Sequence, residues 1–270
     1  MEVFRALLHD ADQGRAGGTS ATGAHRAVRQ RADGWAVGPL VLGDERLSGT
    51  DADVAVSVVA SGGAGGVSAL PRRASGLRLV GVETVLRDLD DLPGSATRAV
   101  AAATELTEAL GRPEGLEVYV GLPQAPGLVE AVEVVEAAGL LGRLDLGAAG
   151  GEGRGPARAE LLSVLVEADL AFKVTGAGTE PFGPYGLVAV LMAVEALVDG
   201  ADPADAEELL ARPDRDRSRV ALARWDAAQQ ARVARRLRGV DCPDVAATLD
   251  TLTAAGLLDP DGVGTGVSGA

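Results

Sequence analysis

Lysine is almost missing from this chain. Of 25 basic side chains, only Lys173 is a lysine and the rest are arginine. Cysteine and histidine are scarce as well. The single cysteine, Cys242, excludes an internal disulfide. The two histidines, His9 and His25, stand near the start; a surface or capping role is expected of His9, with closing one end of the fold or approaching the site as the alternative. No Cys/His spacing suits zinc, and Ser/His/Asp hydrolysis is not expected without a histidine in the later loops. Aromatic residues make up 3% of the chain, so its 47% apolar content must build a core from Ala, Val and Leu. Side chains this small let helices approach a sheet closely.

A surplus of cations is also lacking. The net charge of −14 excludes the clustered Lys and Arg that nucleic acid or an anionic membrane surface requires. The longest apolar stretch, Leu187 to Val198, is interrupted by Glu195 and is too short to span a bilayer. No basic segment followed by an apolar run marks a signal peptide. These absences predict a cytoplasmic protein whose partner is a small molecule, with no cofactor or metal indicated. A carboxylate-only Mg²⁺ site from Glu83 and Asp145 is the one metal option the residues leave open.

What is present is alternation. Short apolar, β-branched runs predict strands at Pro39–Leu42, Asp53–Ala60, Leu77–Leu86, Leu116–Leu122, Gly142–Leu146 and Leu170–Thr175. Helical patterns cover Ala96–Leu110, Leu128–Ala138 and Ala157–Glu167, then Leu187–Val198, Pro203–Ala211, Arg219–Arg236 and Thr248–Ala255. The start, Met1 to Ala11, reads as an amphipathic helix. Strand–helix–strand at this rhythm implies parallel βαβ units. The expected fold is a single α/β domain over residues 1–259. It is a TIM-like (β/α)-barrel, irregular or incomplete, with a helical C-terminal part and a disordered tail at 260–270. An open doubly wound sheet is the alternative. Two features strain the barrel reading. Only about ten residues separate the first two strands, and a further strand near Val233 to Val240 is obscured by its arginines.

Ligands of such folds bind at the carboxyl ends of the strands. That rule selects the loop Ser61 to Gly66, with Gly63 and Gly65 able to present backbone N–H groups to an anion or simply to turn the chain. It also selects Glu83, Asp145, the loop Gly147 to Gly155 with Arg154, and Thr175 with Gly176. A lone lysine in a predicted strand needs an explanation, since lysine is dispensable elsewhere on this chain. Strand phase turns Lys173 and Thr175 to one face and Phe172 and Val174 to the other. The bulky apolar pair should face helices, which points Lys173 into the barrel. Asp145, Glu83 and Tyr119 are its candidate neighbours.

Three roles are open to Lys173. It is a buried cation neutralised by Asp145 or Glu83, an anchor for a carboxylate or phosphate, or a Schiff-base nucleophile helped by Asp145, Glu83 or Tyr119. Geometry discriminates among them. A lysine against two carboxylates with no cavity above it is structural, whereas one pointing into an open pocket serves a ligand.

The run Phe172-Lys173-Val174-Thr175-Gly176 is similar to the Schiff-base strand of deoxyribose-phosphate aldolases, class I aldolase barrels with a Lys-Thr-Ser-Thr-Gly motif. That resemblance implies a lyase acting on a small carbonyl compound through Lys173. The family tunes this lysine with a second one, which this chain lacks. A longer resemblance is to an uncharacterised actinobacterial group of barrel-like proteins. It runs through Leu8-His9-Asp10-Ala11, Val37-Gly38-Pro39-Leu40, Ser57-Val58-Val59 with Gly62-Gly63-Ala64-Gly65, Phe172-Lys173 and Tyr185-Gly186-Leu187. Tyr185 stands where the group has His, Gly178-Thr179 where it has a His pair, and Ala189 where it has Asn. Asp145-Leu146-Gly147-Ala148 replaces Arg-Thr-Gly-Gly. The resemblance implies a diverged barrel that has lost proton-transfer groups, so a non-catalytic barrel binding a small anionic metabolite, or serving structure only, stands beside the lyase reading.

Overall fold

The computed structural model describes residues 1–11, 18–111, 115–147 and 158–259. Eight parallel strands close into one barrel in sequence order. They are β1 (Leu8–Ala11), β2 (Val37–Gly43), β3 (Ala55–Val59), β4 (Arg78–Val85), β5 (Glu117–Gly121), β6 (Leu141–Asp145), β7 (Phe172–Thr175) and β8 (Leu237–Cys242). The ring is completed by β8 pairing with β1 through Leu8 and Val240, and through His9 and Asp241. The helices are α1 (Gly18–Arg29), α2 (Ala64–Arg73), α3 (Leu92–Ala109), α4 (Leu128–Ala137) and α5 (Arg158–Glu167). They continue with α6 (Leu187–Val198), α7 (Pro203–Ala211), α8 (Arg215–Ala223), α9 (Ala227–Arg236) and α10 (Val245–Ala254). The barrel is therefore complete in strands. It is irregular in its helices, because β2 passes to β3 without one while four helices separate β7 from β8.

Two sequence expectations are corrected and a helix, α2, is added. The start is not a helix: a short 3-10 turn at Glu2–Phe4 leads into β1, whose four residues are all buried. A strand covered on both faces loses its polar alternation, so Leu8-His9-Asp10-Ala11 carries no strand signature. The helix expected over Arg219–Arg236 is two helices. Trp225 lies between them, and Asp226 opens the second with a capping box to Gln229. α2 was hidden because it begins Ala-Gly-Gly and contains Pro71, all poor helix formers but for the alanine.

Two apolar clusters fill the space between barrel and helices. Phe172 and Val174 lie in the larger one, fully buried, which sets their partners Lys173 and Thr175 facing inward. The last strand follows α9 directly. Its Arg238 sits where the pairing with β7 skips a residue, between the pairs Phe172–Leu237 and Lys173–Gly239. This bulge keeps an arginine in a strand that sequence pattern alone made doubtful. The tail from Pro260 and most of the second glycine loop, Arg154 included, lie outside the described residues.

Glycine at two inward positions makes room for one ring. A Cβ on Gly239 would fall 2.4 Å from the His9 Nε2, and one on Gly38 2.7 Å from its Cδ2. Gly239→Ala is therefore expected to lower stability by roughly 1–3 kcal/mol through overpacking. Urea unfolding of the variant measures this, and an unchanged midpoint would refute the crowding.

Candidate functional site

The barrel interior is charged on one side. β4 contributes Glu83, β6 Arg143, β7 Lys173 and β8 Asp241. Parallel pairing aligns Arg143 with Lys173, and Lys173 with Gly239, so all of these strands present the same face inward. The Lys173 Nζ lies 2.6 Å from the Glu83 Oε1 and 2.6 Å from the Asp241 Oδ1. Ser57 of β3 donates its hydroxyl to the same Glu83 Oε1 at 2.8 Å. On the other side of that carboxylate, the Arg143 Nε faces Oε2 at 3.1 Å. Two carboxylates thus meet two cations with a hydroxyl beside them. Charges so enclosed are tolerable only because each has an opposite within contact.

Solvent reaches these groups unequally. The side chains of Lys173 and Glu83 are 0% exposed, while that of Arg143 is 17% exposed. Burial pushes the Asp241 carboxyl up to about 6, against the lowering influence of Lys173, and the Glu83 charge adds to the rise. Cys242 beside it is buried, and burial with the Asp241 charge pushes its thiol well above the ordinary range. The thiol is accordingly held in its unreactive form.

A second layer lies next to this one. The Lys173 Nζ stands 5.5 Å from the centre of the Tyr119 ring, and His9 meets that ring edge-on with 6.4 Å between centroids. Tyr119 donates its hydroxyl to Glu117, which also receives Arg238 at 2.6 Å. Burial and the Glu117 carboxylate both raise the phenol, so Tyr119 stays protonated. His9 is 3% exposed and its Nδ1 has no hydrogen-bond partner among the described residues. Burial, reinforced by the Lys173 charge, lowers its pKa well below 6.5. His9 is therefore a neutral interior ring, which corrects the surface or capping role expected of it. His25 is enclosed too, being 4% exposed with Nδ1 against Asp10.

Asp145 takes no part in holding Lys173. It stands exposed at the end of β6, where its Oδ1 accepts from the Gly147 backbone at 2.9 Å. The second carboxylate on the lysine is Asp241, from a strand whose position the sequence left open. Asp145 and Arg143 instead share a cleft of about 350 Å³ at the ends of β4, β5 and β6, together with Val85, Gly121, Pro123 and Gln124. Lys173 does not line it. Thr175 is buried beside the Leu144 carbonyl, and Gly176 follows it with φ at +65°. Gly63 opens α2 and lines a smaller cleft of about 170 Å³ with Arg87 and Arg98, and Gly65 lies in the first turn of α2. Tyr185 is remote from Lys173 in its contacts. Its hydroxyl donates to Glu207 at 2.7 Å and its ring lies under Arg158. Both oxygens of Glu83 face cations, Lys173 at Oε1 and Arg143 at Oε2, and Asp145 lies outside this set. Among the described residues no group of three His, Cys, Asp or Glu is placed to hold a metal ion. No helix among them is long and apolar enough to cross a membrane.

Removing one member of a buried charge set leaves its partners unpaired. Lys173→Met is expected to cost about 3–5 kcal/mol in urea unfolding. The triple variant Lys173→Met, Glu83→Gln, Asp241→Asn should be less destabilised than this single change, because no buried charge is left unpaired and Arg143 reaches water. A triple variant as unstable as the single one would mean that packing, not charge, dominates.

The interior ring also gives a pH dependence. An unfolded histidine takes up its proton near 6.5 and folded His9 does so only at lower pH. Protons therefore favour the unfolded chain, and the His9 contribution to stability falls as pH drops below 6.5. Asp241 acts oppositely, since its raised pKa makes the folded form protonate first between about 6 and 3.8. Unfolding of His9→Asn measured against the parent isolates the first effect. The parent's advantage should shrink from pH 6.5 downward, with a limiting slope of about 1.4 kcal/mol per pH unit.

The chain matches no protein-family model, and no curated protein is significantly similar to it. The two resemblances of its strand motifs thus rest on the quoted residues alone, and the architecture stands as that of a closed, eight-stranded parallel α/β barrel of TIM type.

Proposed function

We propose that this protein is a non-catalytic barrel that binds a small anionic metabolite in the cleft at the carboxyl ends of β4 to β6, with Arg143 as its anchor. One observation carries the reading: Lys173 is fully enclosed between Glu83 and Asp241, while Arg143 is the cation of the set that borders the cleft. A Schiff base at Lys173 would require its nitrogen to leave two carboxylates at 2.6 Å and a carbonyl carbon to enter space with no solvent access. Nucleophilic amines are instead found exposed to their substrate. The Arg143 Nε lies 3.1 Å from Glu83, and the terminal N–H groups of a guanidinium are donors suited to a carboxylate. The position also accords with the rule that parallel barrels bind ligands at this end.

The lyase reading remains directly testable. The protein is incubated with a panel of aldehydes and keto acids plus borohydride, and the peptide carrying Lys173 is read by mass. No adduct on that peptide is expected, whatever forms on the amino terminus, and an adduct at Lys173 would overturn the proposal. In parallel, a panel of small carboxylates is screened by thermal shift. A binder should raise the parent's Tm and lose affinity about tenfold or more in Arg143→Gln, the loss of one charge-assisted contact.

A further inference from the structure

The opposite end of the barrel carries a cleft that the site above does not use. It measures about 300 Å³ and lies where β2, β3 and β4 begin, under α1. Its polar lining is His25, Arg26, Arg29, Arg78 and Asp53, so three guanidiniums and an imidazole face one carboxylate. This is a local reversal of charge in a chain of net −14.

The cations are not equally engaged. Arg26 is neutralised, with its Nη2 at 2.9 Å from both Asp51 and Asp53. Arg29 donates to the Val37 carbonyl and has no carboxylate partner among the described residues. Arg78 is exposed on the first residue of β4, and no ion pair joins it to any described residue. His25 is buried, and Asp10 takes up its Nδ1 at 2.9 Å. That contact places the ring proton on Nδ1 and holds the ring in the wall of the cleft. Two guanidiniums without counter-charges around one small concavity make a site for an anion of more than one charge. Planar guanidinium forks fit the oxygens of a phosphate. The volume suits a small phosphorylated compound.

We infer that this amino-terminal cleft binds the phosphate group of a small phosphorylated molecule through Arg29 and Arg78. Arg26, held by Asp51 and Asp53, shapes the wall. The site is independent of the cleft bordered by Arg143, since the two lie at opposite ends of the strands.

The test follows arginine Nε–Hε signals of the full chain by NMR at low ionic strength, during titration with inorganic phosphate and with glycerol phosphate. Arg78→Ala and Arg72→Ala are compared with the parent. Both arginines are exposed, both changes remove one positive charge, and Arg72 lies on α2 outside the cleft. Saturable shifts at Arg29 and Arg78 are expected with both compounds. Affinity should be about tenfold weaker in Arg78→Ala and unchanged in Arg72→Ala. Tighter binding of glycerol phosphate would identify a phosphomonoester as the ligand, and equal binding would show that the phosphate group alone is recognised. No shift in the parent with either compound would overturn the inference, as would equal weakening in the two variants.

Discussion

Burying a lysine inside a closed barrel commits the surrounding strands to neutralise it. The interior gives Lys173 no water, so its ammonium must find carboxylates, and Glu83 and Asp241 supply them from β4 and β8. Those carboxylates bring their own needs. Glu83 has a second oxygen to satisfy, which Arg143 of β6 approaches, and Ser57 of β3 adds a hydroxyl. Five of the eight strands are thereby tied to one charge. A register slip of one residue in any of these strands would turn its polar side chain out toward the helices.

The same arrangement divides binding from support. Enclosure that makes Lys173 a good cross-strand link also removes it from any ligand's reach, while Arg143 retains a face toward the cleft. Around this polar interior the apolar work is done outside the barrel, where Val and Leu from the strands meet Ala-rich helices. His9 and its neighbouring glycines show how tightly the interior is filled: the ring occupies space that a methyl group on either strand beside it would claim.

Much of this was legible before any coordinates. Alternating patterns located β2 to β7 and most of the helices, and the phase of Phe172 to Thr175 correctly turned Lys173 inward. Glu83 was named as a partner, and it is one. The failures share a cause. β1 carries His9 and Asp10 at positions buried on both faces, and β8 carries Arg238 at a bulge, so neither reads as a strand by alternation or composition. Missing β8 meant missing Asp241. Asp145 took its place because sequence neighbours were easier to pair than strands separated by four helices.

By itself the sequence determined the fold class, most of the element types, the small-residue core, the inward phase of its one lysine and the shortage of histidine and cysteine. Those properties follow from local periodicity and composition, which act over a few residues. Only the tertiary structure decided which carboxylate meets Lys173, that His9 and His25 are enclosed, and that Arg143 rather than Lys173 borders the cleft. These depend on barrel closure, which brings β8 beside β1 and β7 and sets the depth of every inward side chain. No local pattern encodes depth, because a buried polar residue and an exposed one look alike until the strands on either side are known.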